Sequence, residues 1–158
     1  GEVICVNGLL SEFTSPLEFA YIKNMGGKGI PFYLFKRSEL QAMGGFINYP
    51  LAWYSDDATI ICMANKGVVF FNEILFSFRH SGESITTKRN NSFALRSKIL
   101  ATEAYYQDLP TLLNDLREYT PMDSWFRKQI LKMIKNDKIN DIKETVATAT
   151  VSLLLQKK

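Results

Sequence analysis

The sequence predicts a helix-rich α+β fold, and three observations lead to this prediction. The part of the 158-residue chain before Lys88 alternates short helix-like and strand-like segments. After Lys88, apolar residues recur almost only at helical steps of three and four. With 46% hydrophobic and 13% aromatic residues, the chain has enough apolar surface to form a core.

The part before Lys88 is predicted to contain three helices, from about Pro16 to Met25, near Ser38 to Ala42, and from Ser55 to Asn65. Lys66-Gly67 gives the stop signal of the third helix. Three β-type runs are predicted to be strands: about Phe32 to Phe35, Val68 to Phe71, and Ile74 to Phe78. Asn72-Glu73 separates the last two runs and suggests that they are neighbours.

The part after Lys88 is predicted to contain four helices: Asn91 or Ser92 to about Gln107, Pro110 to Tyr119, Thr120-Pro121 to about Lys135, and Asn140 or Asp141 to near Leu155. Their apolar stripes are typical of a core: Leu95, Ile99, Thr102; Leu112, Leu113, Leu116; Phe126, Ile130, Met133; Ile142, Val146, Ala149, Leu153. The alternative is a stripe that docks on a membrane or a partner chain, with nearby lysines facing anionic lipid: Lys132, Lys135, Lys138, Lys143, Lys157 and Lys158.

Charge and cysteine content exclude several classes of function. The net charge is +3, and the 19 basic and 16 acidic residues are interspersed, so nucleic acid is not an expected partner. Cys5 and Cys62 lack the paired spacing of a zinc site or a disulfide framework. No apolar run approaches the ~20 residues of a membrane helix. We expect a cytoplasmic protein, with the inner face of the membrane as the alternative location.

The most informative segment runs from Gly44 to Gly67 and contains a Gly-Gly turn, an aromatic loop and an acidic helix start. Ser55 is expected to cap the helix, with Asp56 and Asp57 in the first turn, where the helix dipole favours negative charge. Both acids are therefore expected to be ionised at neutral pH. Apolar residues recur at helical spacing after Asp57, so a core should hold this carboxylate rigidly.

In its combination of motifs, the segment from roughly Ser15 to Ile85 resembles the second half of the catalytic domain of family 2 glycosyltransferases, especially bacterial enzymes that build surface polysaccharides. The matching residues are Gly44-Gly45-Phe46, Pro50-Leu51-Ala52-Trp53, Ser55-Asp56-Asp57-Ala58-Thr59 and Phe76-Ser77-Phe78-Arg79-His80-Ser81-Gly82. The Asp-any-Asp metal motif of the family occurs nowhere in the sequence. The resemblance implies the C-terminal half of a GT-A domain in residues 1–87, without its nucleotide-binding half, and a helical extension in residues 88–158 that packs on it.

The resemblance implies transfer of a sugar from a nucleotide-sugar donor to a saccharide or lipid-linked acceptor, in surface polysaccharide biosynthesis. An inverting transfer needs a base that takes the proton of the acceptor hydroxyl. By position this base is Asp57, with Asp56 adjacent. A divalent ion, Mg or Mn, is expected in the full-length enzyme, whereas the part given by this sequence is expected to bind no cofactor and to be inactive alone.

Five further residues are candidate substrate contacts. Gly44 and Gly45 can adopt positive φ and let a ligand approach the backbone, but a Gly pair is equally an ordinary helix stop. Trp53 can stack on the apolar face of the acceptor sugar, or it can be part of the core. Arg79 can pair with the donor diphosphate, and His80 is expected to act as a hydrogen-bond donor and not as a metal ligand.

Two other classes of function compete with this one. In a non-catalytic interaction or membrane-docking module, the helical tail is the functional surface and the acids only cap a helix. In a hydrolase, paired carboxylates flank one glycosidic bond, but neighbours on a helix point about 100° apart and cannot easily do so. A surface left exposed by a missing half-domain also predicts a homo-oligomer.

Overall fold

A computed structural model of the chain describes residues 13–25, 33–70 and 92–155. Its elements are, in chain order, β1 (Phe13–Thr14), α1 (Pro16–Met25), α2 (Arg37–Ala42), α3 (Ser55–Met63), β2 (Val68–Val69), α4 (Ser92–Asp115) and α5 (Asp123–Leu155). Two 3₁₀ turns flank α3, at Pro50–Ala52 and Ala64–Lys66. The strands pair antiparallel, with Phe13 opposite Val69 and Thr14 opposite Val68. The prediction of a helix-rich α+β fold is confirmed at this level.

The three helices predicted before Lys88 are present close to their expected bounds. Helix α1 has the predicted range, and α2 begins one residue earlier than predicted. Helix α3 and its 3₁₀ turn end at Gly67, which has φ of 90°. The positive φ favours glycine at this stop, and a Cβ on Gly67 would also require the Phe13 ring to move.

The predicted strands are less accurate than the helices. Residues 33–36 form no regular structure, and the aromatic residues that suggested a strand pack instead as rings, with Tyr33 edge-on to Phe19 at 6.1 Å. Strand β2 covers the start of the run from Val68, but it pairs with β1, which precedes α1. The run from Ile74 to Phe78 lies outside the described residues.

The helical part has fewer and longer helices than predicted. Helix α4 continues through Pro110, where a new helix was expected. A proline inside a helix costs ~3 kcal/mol, but Leu109 and Leu113 on either side are buried in the core and offset that cost. Helix α5 likewise continues through Asn140 and Asp141. The prediction of a helix start there is wrong, because the Asp141 carboxylate accepts hydrogen bonds from two tyrosine hydroxyls and caps nothing.

Helix α5 begins at Asp123, two residues after the predicted first-turn proline. The Asp123 carboxylate is fully buried and accepts hydrogen bonds from the backbone N–H groups of Tyr119 and Thr120, both at 2.7 Å. It also accepts a hydrogen bond from the Ser15 hydroxyl, just before α1. Burial opposes ionisation, but these hydrogen bonds keep the pKa of Asp123 below its usual value. Asp123 therefore links the start of α1 to the turn between α4 and α5.

The helical part shares one core with the part before it. Helix α4 packs on α3, and α5 packs on both α1 and α4. The interpretation of the helical stripes as core is confirmed for five of their residues, which are at most 4% exposed: Thr102, Leu113, Leu116, Ile130 and Ala149. Val146 is 40% exposed and lies off the core. Within the ranges that the structure describes, no helix is long and apolar enough to cross a membrane.

Candidate functional site

The aromatic loop before α3 has a strained backbone. Leu51, Ala52 and Tyr54 have φ of 56°, 56° and 63°, in the left-handed region. A residue with a side chain loses roughly 1–2 kcal/mol there relative to the right-handed region. Three such residues within four positions persist only where surrounding contacts fix them, and strain of this kind concentrates at functional sites.

Tyrosine side chains fix this loop to the long helices. The Tyr54 ring stacks on Tyr105 of α4, with centroids 4.6 Å apart and planes 6° from parallel. The Tyr54 hydroxyl donates to Asp141 Oδ2 of α5 at 2.6 Å, and the Tyr106 hydroxyl donates to the same oxygen. Burial raises the pKa of the phenols of Tyr54, Tyr105 and Tyr106, so they stay protonated at neutral pH.

Ser55 begins α3, but its hydroxyl does not cap the helix. The N-cap residue is Tyr54, and no side chain makes a cap hydrogen bond there. The Ser55 hydroxyl accepts the backbone N–H of Tyr49 at 3.0 Å, on the other side of the aromatic loop. The predicted serine cap is therefore wrong, because the hydroxyl closes the loop and leaves the helix N–H groups to other acceptors.

Asp57 lies in the first turn of α3 and forms an ion pair with α1. Its Oδ1 contacts Nζ of Lys23, and the two side chains are 26% and 3% exposed. Burial raises the pKa of Asp57, Lys23 opposes this shift, and the negative charges of Asp56 and Asp141 add to it. A position in the first turn of a helix favours the ionised form. Desolvation outweighs that effect, so Asp57 is a stronger base than an exposed aspartate.

Asp56 and Tyr33 complete the surroundings of Asp57. Burial, together with the negative charges of Asp57 and Asp56, raises the pKa of Tyr33 to about 12. Nζ of Lys23 lies 5.8 Å from the centroid of the Tyr33 ring. We call Lys23, Tyr33, Asp56 and Asp57 the Asp57 cluster. It joins α1, α3 and the segment before α2.

Trp53 contacts both Tyr54 of the loop and Lys98 of α4. Its ring is edge-on to Tyr54 at 6.0 Å, and Nζ of Lys98 lies 4.5 Å from the ring centroid, within cation–π range. Burial lowers the pKa of Lys98. The indole Nε1–H of Trp53 is buried and has no hydrogen-bond acceptor among the residues that the structure describes.

A cleft of about 170 Å³ separates the aromatic loop from the long helices. It is lined by Trp53 and Tyr54 of the loop, Lys98 of α4, and four polar residues of α5: Asp141, Glu144, Thr145 and Thr148. Asp56 and Asp57 do not line the cleft, but they lie in the first turn of α3, whose N-cap residue is Tyr54 of the cleft wall. Of the predicted residues, Trp53 therefore lines the cleft, and the two acids follow its wall in the chain.

Gly44 and Gly45 lie at the C-terminus of α2. Their φ angles are 88° and 96°, and their N–H groups donate to the carbonyls of Gln41 at 3.0 Å and Leu40 at 2.9 Å. These two hydrogen bonds define a Schellman motif, so the interpretation as a helix stop is confirmed. A Cβ at either glycine would meet no atom within 4 Å. Contact of these glycines with a substrate stays a prediction.

The predicted substrate contacts Arg79 and His80 lie outside the described residues. Other residues of the site are not predicted from the sequence. Lys23 is one of them, because a lysine in the last turn of a helix is explained equally well by the helix dipole. Lys98 and the Tyr105-Tyr106 pair are others, although two adjacent tyrosines on an apolar stripe can indicate a hydrogen-bonded network. Within residues 13–25, 33–70 and 92–155, no group of three metal-ligating side chains could hold a metal ion.

Comparison with known proteins gives no further identification, since no family model, curated protein or solved structure matches the chain.

Proposed function

We propose that this chain is the acceptor-side part of a family 2 glycosyltransferase with a GT-A catalytic domain, and that Asp57 is its catalytic base. The observation that carries this proposal is the setting of Asp57. It is a half-buried carboxylate with a raised pKa, fixed by Lys23 and adjacent to an aromatic-walled cleft. A catalytic base needs a fixed position and a proton affinity above that of an exposed carboxylate.

The ion pair suggests how Asp57 would work. Lys23 contacts Oδ1, so Oδ2 is the oxygen that would take the proton from the acceptor hydroxyl. The acceptor oxygen would then form a bond to the anomeric carbon of the donor, and the bond from that carbon to the diphosphate oxygen would break. Lys23 would hold the carboxylate in place without supplying a proton, and Asp56 would lie beside the acceptor.

The other proposed contacts follow from position. Trp53 would form a wall of the acceptor site, and Gly44 and Gly45 would lie near bound substrate. Arg79 and His80 would contact the donor diphosphate, as their positions in the sequence suggest. The divalent ion that the resemblance implies does not fit the described residues, which offer no ligand set, so the proposal assigns it no step.

The experiment that tests the base is Asp57→Asn in the full-length enzyme. Turnover with saturating donor and acceptor should fall by ~100-fold or more, because the proton acceptor is lost while the side-chain size is kept. Asp56→Asn is the matched control and should have a much smaller effect. Thermal melting of both variants should show folded protein. Near-normal turnover of Asp57→Asn would contradict the proposal and make Asp56 the next candidate.

The competing interpretation is an interaction or membrane-docking module. It is less well supported, because each of the four stripes that such a module would expose contributes at least one buried residue: Thr102; Leu113 and Leu116; Ile130; Ala149. Peripheral membrane contact at the inner face, self-association and a lipid-linked acceptor remain predictions that accompany the glycosyltransferase proposal.

A further inference from the structure

We propose that the cleft between the aromatic loop and α5 binds a single sugar ring of the acceptor, and that it selects neutral or amino sugars over sugar acids. The word acceptor rests on the proposed function, but binding of a sugar ring to this cleft can be measured without any transfer reaction.

The size of the cleft limits the ligand. Pockets for drug-sized ligands typically have volumes of ~300–1,000 Å³. The cleft has a volume of about 170 Å³, which suits one ring and is too small to enclose a whole nucleotide sugar. We therefore assign the cleft to the acceptor and not to the donor.

The lining of the cleft has the mixed character that sugars require. Trp53 and Tyr54 offer aromatic surface for the C–H face of a pyranose. The carboxylates of Asp141 and Glu144 can accept hydrogen bonds from sugar hydroxyls, and threonine hydroxyls can donate or accept them. The Tyr54 and Tyr106 hydroxyls already fix Asp141, so this acceptor is held in place before a ligand binds.

Trp53 also provides a probe of binding. Its side chain lines the cleft, so a bound ligand should change the environment of its indole N–H and shift the signal of that group.

The charges around the cleft determine which sugar it prefers. The carboxylates of Asp141 and Glu144 line the cleft together with one ammonium group, that of Lys98, whose Nζ lies over the Trp53 ring. The net charge of the lining is therefore negative. It should repel the carboxylate of a uronic acid and attract the ammonium group of an amino sugar, since discrimination of this kind works through unfavourable like-charge contacts.

The two tryptophans of the chain make a direct test simple. In the ¹⁵N-labelled 158-residue protein, the indole N–H signals of Trp53 and Trp125 are assigned with Trp125→Phe. Methyl glucoside, methyl glucosaminide and methyl glucuronide are then titrated at constant ionic strength. The Trp53 signal should move in a saturable way with the first two sugars, and the glucuronide should bind about tenfold more weakly, as expected for one like-charge contact. Trp125 lies outside the cleft and is the internal control.

A matched pair of variants tests the charge argument. Glu144→Gln should reduce the discrimination between the glucosaminide and the glucuronide several-fold, whereas Glu103→Gln on the exposed side of α4 should leave it unchanged. A Trp53 signal that does not move, or that moves in step with Trp125, would overturn the binding site. Equal affinity for all three sugars would overturn the charge selection.

The two proposals can fail separately. Normal turnover of Asp57→Asn would remove the base assignment and leave saturable sugar binding intact. Absence of sugar binding, with a large loss of turnover in Asp57→Asn, would remove the cleft and leave the base.

Discussion

Asp57 and Asp123 both lie in the first turn of a helix, α3 and α5 respectively, but their pKa values shift in opposite directions. Asp123 is fully buried and accepts three hydrogen bonds, and its pKa is lowered. Asp57 is half-buried, its one ion-pair partner among the described residues is Lys23, and burial raises its pKa. The number of donors aimed at each carboxylate explains the difference better than the helix dipole, which favours the ionised form of both.

This comparison separates a structural acid from a candidate catalytic one. A carboxylate that accepts three hydrogen bonds within the protein stabilises the fold and has little capacity left for a substrate proton. A carboxylate with a single partner and a raised pKa is less favourable for folding and better suited to proton transfer.

The largest stability effect should come from Asp123→Ala. The change leaves the Ser15 hydroxyl and two backbone N–H groups without their buried acceptor, so unfolding free energy should fall by about 3 kcal/mol. Urea denaturation measures this loss, and Asp115→Ala at the exposed end of α4 is the control, with an expected change within about 0.5 kcal/mol. Equal effects of the two variants would show that Asp123 does not stabilise this turn.

The stability that Asp123 contributes should depend on pH, and the direction of its pKa shift sets the sign of this dependence. The pKa of Asp123 is lower in the folded protein than in the unfolded chain, so its stabilisation is present above the unfolded value of ~3.9. It is lost as the pH falls through the folded value. The difference in stability between the native protein and Asp123→Ala should therefore shrink in acid.

The ion pair between Asp57 and Lys23 should influence the pH dependence of catalysis, an effect smaller than the stability loss expected for Asp123→Ala. The base must be ionised, and its pKa is raised. The apparent pKa of the acid limb of the kcat/KM profile should therefore lie above that of an ordinary aspartate. Lys23→Met removes the charge that opposes this rise, so the limb should move to still higher pH while the plateau at high pH is largely kept. Asp57→Asn, in contrast, should lower kcat/KM across the whole range.

The profile of kcat/KM against pH for the three proteins measures these effects. An acid limb that does not move in Lys23→Met would show that the ion pair has no influence on the catalytic group. Melting curves are recorded in parallel, since loss of one partner of a buried pair also destabilises a protein.

The contrast between the two acids also shows what could be predicted from sequence. The bounds of α1 and the placement of Asp56 and Asp57 in the first turn of α3 were predicted, because periodicity and helix stop signals are local. The length of α5 was not predicted. Aspartate is a residue type typical of helix caps, but Asp141 instead accepts hydrogen bonds from tyrosines of the loop and α4. The ion pair between Lys23 and Asp57 joins residues 34 positions apart in sequence, and no local pattern indicates it.

The smallest effect concerns the strained loop beside Asp57. Ala52 has φ of 56°, so Ala52→Gly should relieve strain of roughly 1–2 kcal/mol, offset in part by the greater freedom of glycine in the unfolded chain. A net gain of about 0.5 kcal/mol in unfolding free energy is expected. The same substitution at Ala147, on the exposed face of α5, should cost about 1 kcal/mol, because glycine is a poor helix former. Urea denaturation of both variants measures the two values. Opposite signs would support a left-handed loop held by Tyr54 and its contacts, and a loss at Ala52 equal to that at Ala147 would contradict it.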